Sequence, residues 1–383
     1  MMREYLNQAL YGARRSAIRA FSALARATPG CVSLTLGEPD FDTPAPVKQA
    51  VGEALERGET HYIDNNGSPA LRQKIADYEG ERHGMDYTAD EVIVTAGATE
   101  ALFLALFGIL NPGDEVIVPT PAFLLYEQVI GLCRGRFVPL DTTQDGFQID
   151  GEKLAGLVNE RTRAILLNSP NNPTGCVYDE KSLSAVRRAV EGKPIFVLCD
   201  DVYRELVYGG EYRSFAEFRD LREQILVIQS CSKPWAMTGW RMGWLLADQS
   251  VKERLELLHQ FLVVSTPAPF QRAAMEALDQ DPAPMRETYR RRRSYVLERL
   301  AGMDLEVRAP QGAFYVFPSI RAFGLSSEEF CTRLIREGGL AVTPGSCFGG
   351  EGHIRLSYCY SDEELKEGLD RLERFLTKLR KEG

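Results

Sequence analysis

At 383 residues the chain exceeds what one hydrophobic core usually organises, so its length predicts a large domain joined to a smaller one. Its 44% hydrophobic and 26% charged residues exclude a disordered chain, and a formal charge of −9 argues against a general nucleic-acid surface. The eight cysteines are widely spaced, with no Cys-x-x-Cys pair and only four histidines to join them, so neither a zinc site nor a disulfide framework is expected.

The start, Met1-Met2-Arg3-Glu4-Tyr5-Leu6, lacks the apolar core of a signal peptide, and no apolar run approaches the roughly 20 residues of a membrane span. A cytoplasmic protein without membrane contact is the expectation. Val32 to Leu36 reads as a lone strand ending in the turn Gly37-Glu38-Pro39-Asp40. From about residue 90 to 250, short apolar runs alternate with helical patterns, as in a parallel sheet with crossover helices. The strands are expected at 92–94, 115–118, 164–167, 195–198, 226–228 and 243–246, each apolar on both faces. Apolar residues at three-to-four spacing predict helices over 100–110 and 180–190. After about residue 285 the pattern becomes a long charged helix over 286–300, a strand pair at 305–307 and 313–317, and a closing helix over 362–379. The run Arg290-Arg291-Arg292-Arg293 reads as a solvated helix face.

Four segments carry chemistry. Gly97-Ala98-Thr99 follows a strand and opens a helix, where free N–H groups and the helix dipole favour a phosphate. Asn168 to Gly175 ends another strand, and its two prolines and glycine fix the backbone so that an Asn side chain can be presented rigidly to a ligand. Asp200 and Tyr203 stand at the end of the strand that begins at Phe196, where α/β sheets place ligand contacts. A carboxylate buried there needs a cationic partner, and a pyridinium nitrogen is one. In Ser230-Cys231-Ser232-Lys233-Pro234-Trp235, the apolar and aromatic neighbours of Lys233 disfavour its charged form and make it a nucleophile able to form a Schiff base. Ser230 and Arg241 bracket it with donors suited to a phosphate.

In this order, together with Leu36-Gly37-Glu38-Pro39-Asp40, His61-Tyr62 and Ile354-Arg355-Leu356-Ser357, the segments resemble the class I/II aminotransferases of pyridoxal-5′-phosphate (PLP) fold type I, nearest their bacterial I-gamma subgroup. The resemblance runs from about Val32 to the C-terminus. It implies an α/β fold: a large PLP-binding domain over 46–284, with a mostly parallel sheet between helices, and a smaller α+β domain from 1–45 and 285–383. It implies that Lys233 forms the internal aldimine and shuttles the proton, that Asp200 keeps the ring nitrogen protonated, and that Tyr203 and Asn172 bind the ring's phenolic oxygen. Phe123 would stack on the ring, and Gly97, Ala98, Thr99, Ser230 and Arg241 would hold the phosphate. Arg355, helped by Gly37 and Asn172, would bind the substrate's α-carboxylate as a two-pronged pair. Tyr62 would reach the phosphate of a neighbouring subunit, which requires a homodimer with shared sites.

The implied activity is transfer of an amino group between an L-amino acid and a 2-oxo acid, with glutamate and 2-oxoglutarate as one pair. Several aspartate-specific members of the subgroup carry a lysine where this chain has Thr99, which argues against aspartate as best donor. Ile18, Tyr62 and Phe123 would instead form a mostly apolar wall at the side-chain end. The segments Ala17 to Ser22 and Gly312 to Ile320 resemble a branch described as N-acetyl-diaminopimelate aminotransferases. A PLP-dependent carbon–sulfur β-lyase would use the same cofactor residues and is the alternative. A ligand-sensing regulator domain would need a helix-turn-helix module before the fold, and the resemblance begins too early to leave room for one.

Overall fold

The structure is a computed structural model, and it describes residues 5–13, 17–210 and 212–382. The strands, in chain order, are β1 (Val32–Ser33), β2 (Val92–Thr95), β3 (Glu115–Thr120), β4 (Arg136–Asp141), β5 (Thr162–Asn168), β6 (Phe196–Asp200), β7 (Ile225–Ser230), β8 (Gly243–Ala247), β9 (Tyr315–Val316), β10 (Leu340–Ala341), β11 (Thr343–Pro344) and β12 (Ile354–Ser357). Seven of them form one sheet in the order β2-β8-β7-β6-β5-β3-β4, parallel except for β8, which runs against both its neighbours. Its central strands are short Val-, Ile- and Leu-rich runs buried on both faces, because helices cover both sides.

The register brings four loops together. Asn168 on β5 pairs with Asp200 on β6, and Asp200 with Ile228 on β7, so these parallel strands end side by side. On β8, Gly243 faces both Thr95 of β2 and Ser230 of β7, which sets the turn at Gly97 beside Ser230. The carboxyl ends of β2, β5, β6 and β7 therefore converge on one crevice, where open α/β sheets bind ligands.

The remaining strands form two small sheets: β1 pairs with β10 in parallel, and β11-β12-β9 is antiparallel. They share a core with Phe21, Ala25, Leu34 and the helices Ala283–Gly302 and Asp362–Glu382. The lone strand read at 32–36 is thus β1, two residues long and partnered by β10.

Three expectations are corrected. Residues 305–307 form no strand, since they are caught between Asp304, with its left-handed backbone, and Pro310, and β9 pairs with β12 instead. The edge strand β4 was not foreseen, because Arg136, Pro139 and Asp141 interrupt its apolar pattern, as suits an edge. The arginine run is not uniformly solvated: Arg292 is buried and grips Asp40 with two hydrogen bonds of 2.7 Å, while Arg291 and Arg292 both bind Asp362. The foreseen helices are found over Ala98–Ile109, Glu180–Val190, Ala283–Gly302 and Asp362–Glu382. Among the described residues, no helix is long and apolar enough to cross a membrane and no cluster of His, Cys, Asp or Glu could hold a metal ion.

Candidate active site

A cavity of about 310 Å³ opens where the four strand ends meet the small sheets. It gathers Gly37, Ala98, Thr99, Phe123, Asn172, Asp200, Tyr203, Ser230, Lys233, Arg241 and Arg355. Lys233 follows β7 and reaches into the space with its Nζ donating to the carbonyl of Gly37 at 2.8 Å. Its amine lies near the faces of Tyr203 and Phe314, and burial lowers its pKa from 10.5 to about 8.

Asp200, at the end of β6, is buried. Its Oδ2 accepts a 2.7 Å hydrogen bond from the Tyr126 hydroxyl, and its Oδ1 has no partner. Burial raises its pKa from 3.8 to about 6. A bare carboxylate oxygen on the cavity wall is what a cofactor's protonated ring nitrogen would meet, so the site fits PLP.

At one end of the cavity, Gly97 has φ +80°, and a Cβ there would fall 2.5 Å from Nη2 of Arg241, so the turn needs glycine. The helix Ala98–Ile109 begins immediately after, and the N–H groups of Ala98 and Thr99 have no intrahelical carbonyl to bind, while that of Glu100 donates to the Gly97 carbonyl at 3.2 Å. Arg241, also left-handed, anchors its guanidinium on the carbonyls of Thr238 (2.9 Å) and Ala96 (3.3 Å). The Ser230 hydroxyl bonds Ser232 Oγ at 2.7 Å.

At the other end, Arg355 on β12 is buried between the rings of Tyr315 and Phe348. Its Nη1 donates to Asn172 Oδ1 at 2.8 Å and its Nη2 to the carbonyl of Thr35, while Nε has no partner. The hydroxyls of Tyr203 and Tyr315 share a 2.8 Å hydrogen bond. Gly37 passes so close that a Cβ would overlap the Tyr315 hydroxyl.

Tyr62 is not brought into this cavity. It is 87% exposed and borders a separate hollow with His61 and Arg272. The side chain of Ile18 lies outside the described residues. Sequence reasoning missed Tyr126, Tyr315 and Arg19, which also line the cavity. Tyr126 stands one helical turn beyond Phe123, and Tyr315 two residues before the end of the segment ending in Phe317, so position offered a weak signal for both.

The Aminotransferase class I and II family model matches residues 29–372. A Bacillus subtilis protein named for N-acetyl-LL-diaminopimelate transamination is 41% identical, over 95% of this chain and 94% of its own. The arginine–pyruvate transaminase AruH of Pseudomonas aeruginosa is 40% identical over 92% of each chain. The structure of Thermus thermophilus aspartate aminotransferase with maleate superposes with a TM-score of 0.91 at 36% identity, covering 96% of this chain and 99% of that one. With sequence, fold and cavity in agreement, the chain belongs to the class I and II aminotransferases and is a PLP-dependent enzyme.

Proposed function

We propose that the enzyme moves an amino group between an L-amino acid and a 2-oxo acid, with glutamate and 2-oxoglutarate as one pair. The observation that carries this reading is the meeting, in one cavity, of the Lys233 amine, the unpartnered Oδ1 of Asp200 and the Arg355–Asn172 pair. When bound, PLP supplies an electron sink for the charge left at the substrate's Cα. Lys233 holds the cofactor, and its Nζ takes the Cα proton and later returns it, a role suited to an amine whose pKa lies near 8. Asp200 Oδ1 would accept a hydrogen bond from the cofactor's protonated ring nitrogen and so keep it protonated, and Tyr126 fixes the carboxylate's orientation. Tyr203 and Asn172 offer polar groups to the ring's oxygen, and Phe123 covers its face. Gly97, Ala98, Thr99, Ser230 and Arg241 cradle the phosphate, joined by Tyr62 from a second copy of the chain in a homodimer.

Arg355 takes the α-carboxylate with Asn172 and Gly37. Arg19 supplies a cation for the second carboxylate of glutamate. It lines the cavity from the helix Ala17–Ala27, and one turn on Ser22 bonds the Thr35 hydroxyl at 2.8 Å. Since the Thr35 carbonyl accepts from Arg355, this contact seats Arg19's helix against the α-carboxylate end. The packing supports a large domain over 46–284 and a small one from 1–45 and 285–383, with the cavity between them: two core clusters lie on the two faces of the seven-stranded sheet and a third gathers around the small sheets. Eight unpaired cysteines suit a reducing cytoplasm.

The test is a panel of amino donors against 2-oxoglutarate and pyruvate. Arg19→Gln should lower the ratio of kcat/KM for 2-oxoglutarate over pyruvate by about tenfold or more, the worth of one charge-assisted contact. An unchanged ratio removes Arg19 from the reading. Pyruvate released from cystathionine without any 2-oxo acid, faster than any transamination, would overturn the reading itself.

A further inference from the structure

Behind the phosphate cradle lies a buried polar chain that none of the roles above uses. Glu100, in the first turn of the helix Ala98–Ile109, accepts the N–H of Ala96 on its Oε2. Its Oε1 lies 2.7 Å from Nδ1 of His259. The other ring nitrogen, Nε2, donates to the carbonyl of Asn65 at 2.8 Å. His259 is fully buried and Glu100 nearly so, and a carbonyl can only accept, so the ring's Nε2 carries a proton. Three residues earlier on the same helix, Gln249–Val263, Glu256 accepts from Asn66 Nδ2 at 2.7 Å. The Asn66 carbonyl in turn accepts from Val94 on β2. One helix thus grips both Asn65 and Asn66.

The two ends of this chain are functional by the reading above. At one end, the Ala96 carbonyl accepts from Arg241 and Gly97-Ala98-Thr99 follows directly. At the other, Asn65 lies three residues from the exposed Tyr62. We propose that His259 is a positioning residue that makes the phosphate cradle of one subunit and the Tyr62 loop of the same subunit a single unit, coupling the two cofactor sites of the dimer. The proposal rests on Tyr62 serving the neighbouring site. A phosphate settling in one cradle orders Ala96 and Glu100, and through His259 the loop that offers Tyr62 to the other. The second site then binds with less ordering left to do, which is positive cooperativity without a change of fold. A purely structural buried histidine would stabilise both ligand states alike.

The test is titration of the cofactor-depleted full-length dimer with PLP and with pyridoxal, which lacks the phosphate, followed by the visible absorbance of the bound cofactor. The wild type should bind PLP cooperatively, the second site several-fold tighter than the first, and pyridoxal without cooperativity. His259→Leu and the milder His259→Gln should abolish the cooperativity and weaken PLP at least about tenfold more than pyridoxal. In the Tyr62→Phe background the same His259 substitution should add little. Independent PLP sites in the wild type, or equal losses for PLP and pyridoxal, would overturn the coupling. If Tyr62→Phe leaves PLP affinity unchanged, the shared-site reading fails instead, and a Tyr62 effect that His259 does not modify sinks only the relay.

Discussion

Asp200 and Lys233 are tuned in opposite senses by the same burial, the carboxyl up to about 6 and the amine down to about 8. For Asp200 the sign has a measurable consequence. Its folded-state pKa lies above the unfolded value, so its proton contributes stability that is fully present below about pH 4 and is lost as pH rises through 6. Above that, the buried anion costs the cofactor-free protein up to about 3 kcal/mol. Asp200→Asn keeps an acceptor for Tyr126 and removes the charge. It should raise the Tm of the cofactor-free protein at pH 8, leave it nearly unchanged at pH 4, and weaken PLP retention. Thermal melts showing the same gain at both pH values would contradict a titrating Asp200.

At the scale of elements, the proposed function divides substrate recognition between the helix Ala98–Ile109 and strand β12. On the proposed reading Arg355 on β12 would meet a carboxylate common to all amino acids, so Arg355→Ala should lower kcat/KM about 100-fold for every donor alike, as loss of a two-pronged charged pair does. Thr99, exposed in the first turn of the helix, carries no charge toward the substrate's side chain, and Thr99→Lys should selectively improve aspartate. Kinetics placing aspartate far ahead of all donors in the unmodified enzyme would contradict this. Strands β2, β3, β5, β6, β7 and β8 were legible in the sequence because each is a short apolar run next to a turn signal. Strand β4 was not, since an edge strand need not be apolar. The β9–β12 pairing was illegible for another reason: nothing local links Tyr315 to Ser357. Lys233 and Asp200 could be singled out from their neighbours in sequence and Arg355 only through the family resemblance, whereas Tyr126 is joined to the site by a 2.7 Å bond that only the packed sheet creates.

For the whole molecule, Tyr62, Leu257, Phe261, Leu262 and Val264 are exposed large apolar side chains on a loop and a helix that His259 joins. Such surface is covered in most proteins, and a second copy of the chain would cover it while delivering Tyr62. Sedimentation at assay concentration should find a dimer, and a fully active monomer would contradict the shared site. The central claim, that Lys233 carries the cofactor, is tested most directly by reducing the PLP-loaded enzyme with borohydride and mapping the modified peptide by mass spectrometry. The reduced cofactor should sit on the peptide containing Lys233 and nowhere else, and Lys233→Ala should lose both the modification and the visible absorbance while keeping its fold. Cofactor found on another lysine, or a Lys233→Ala variant that stays yellow and turns over, would contradict it.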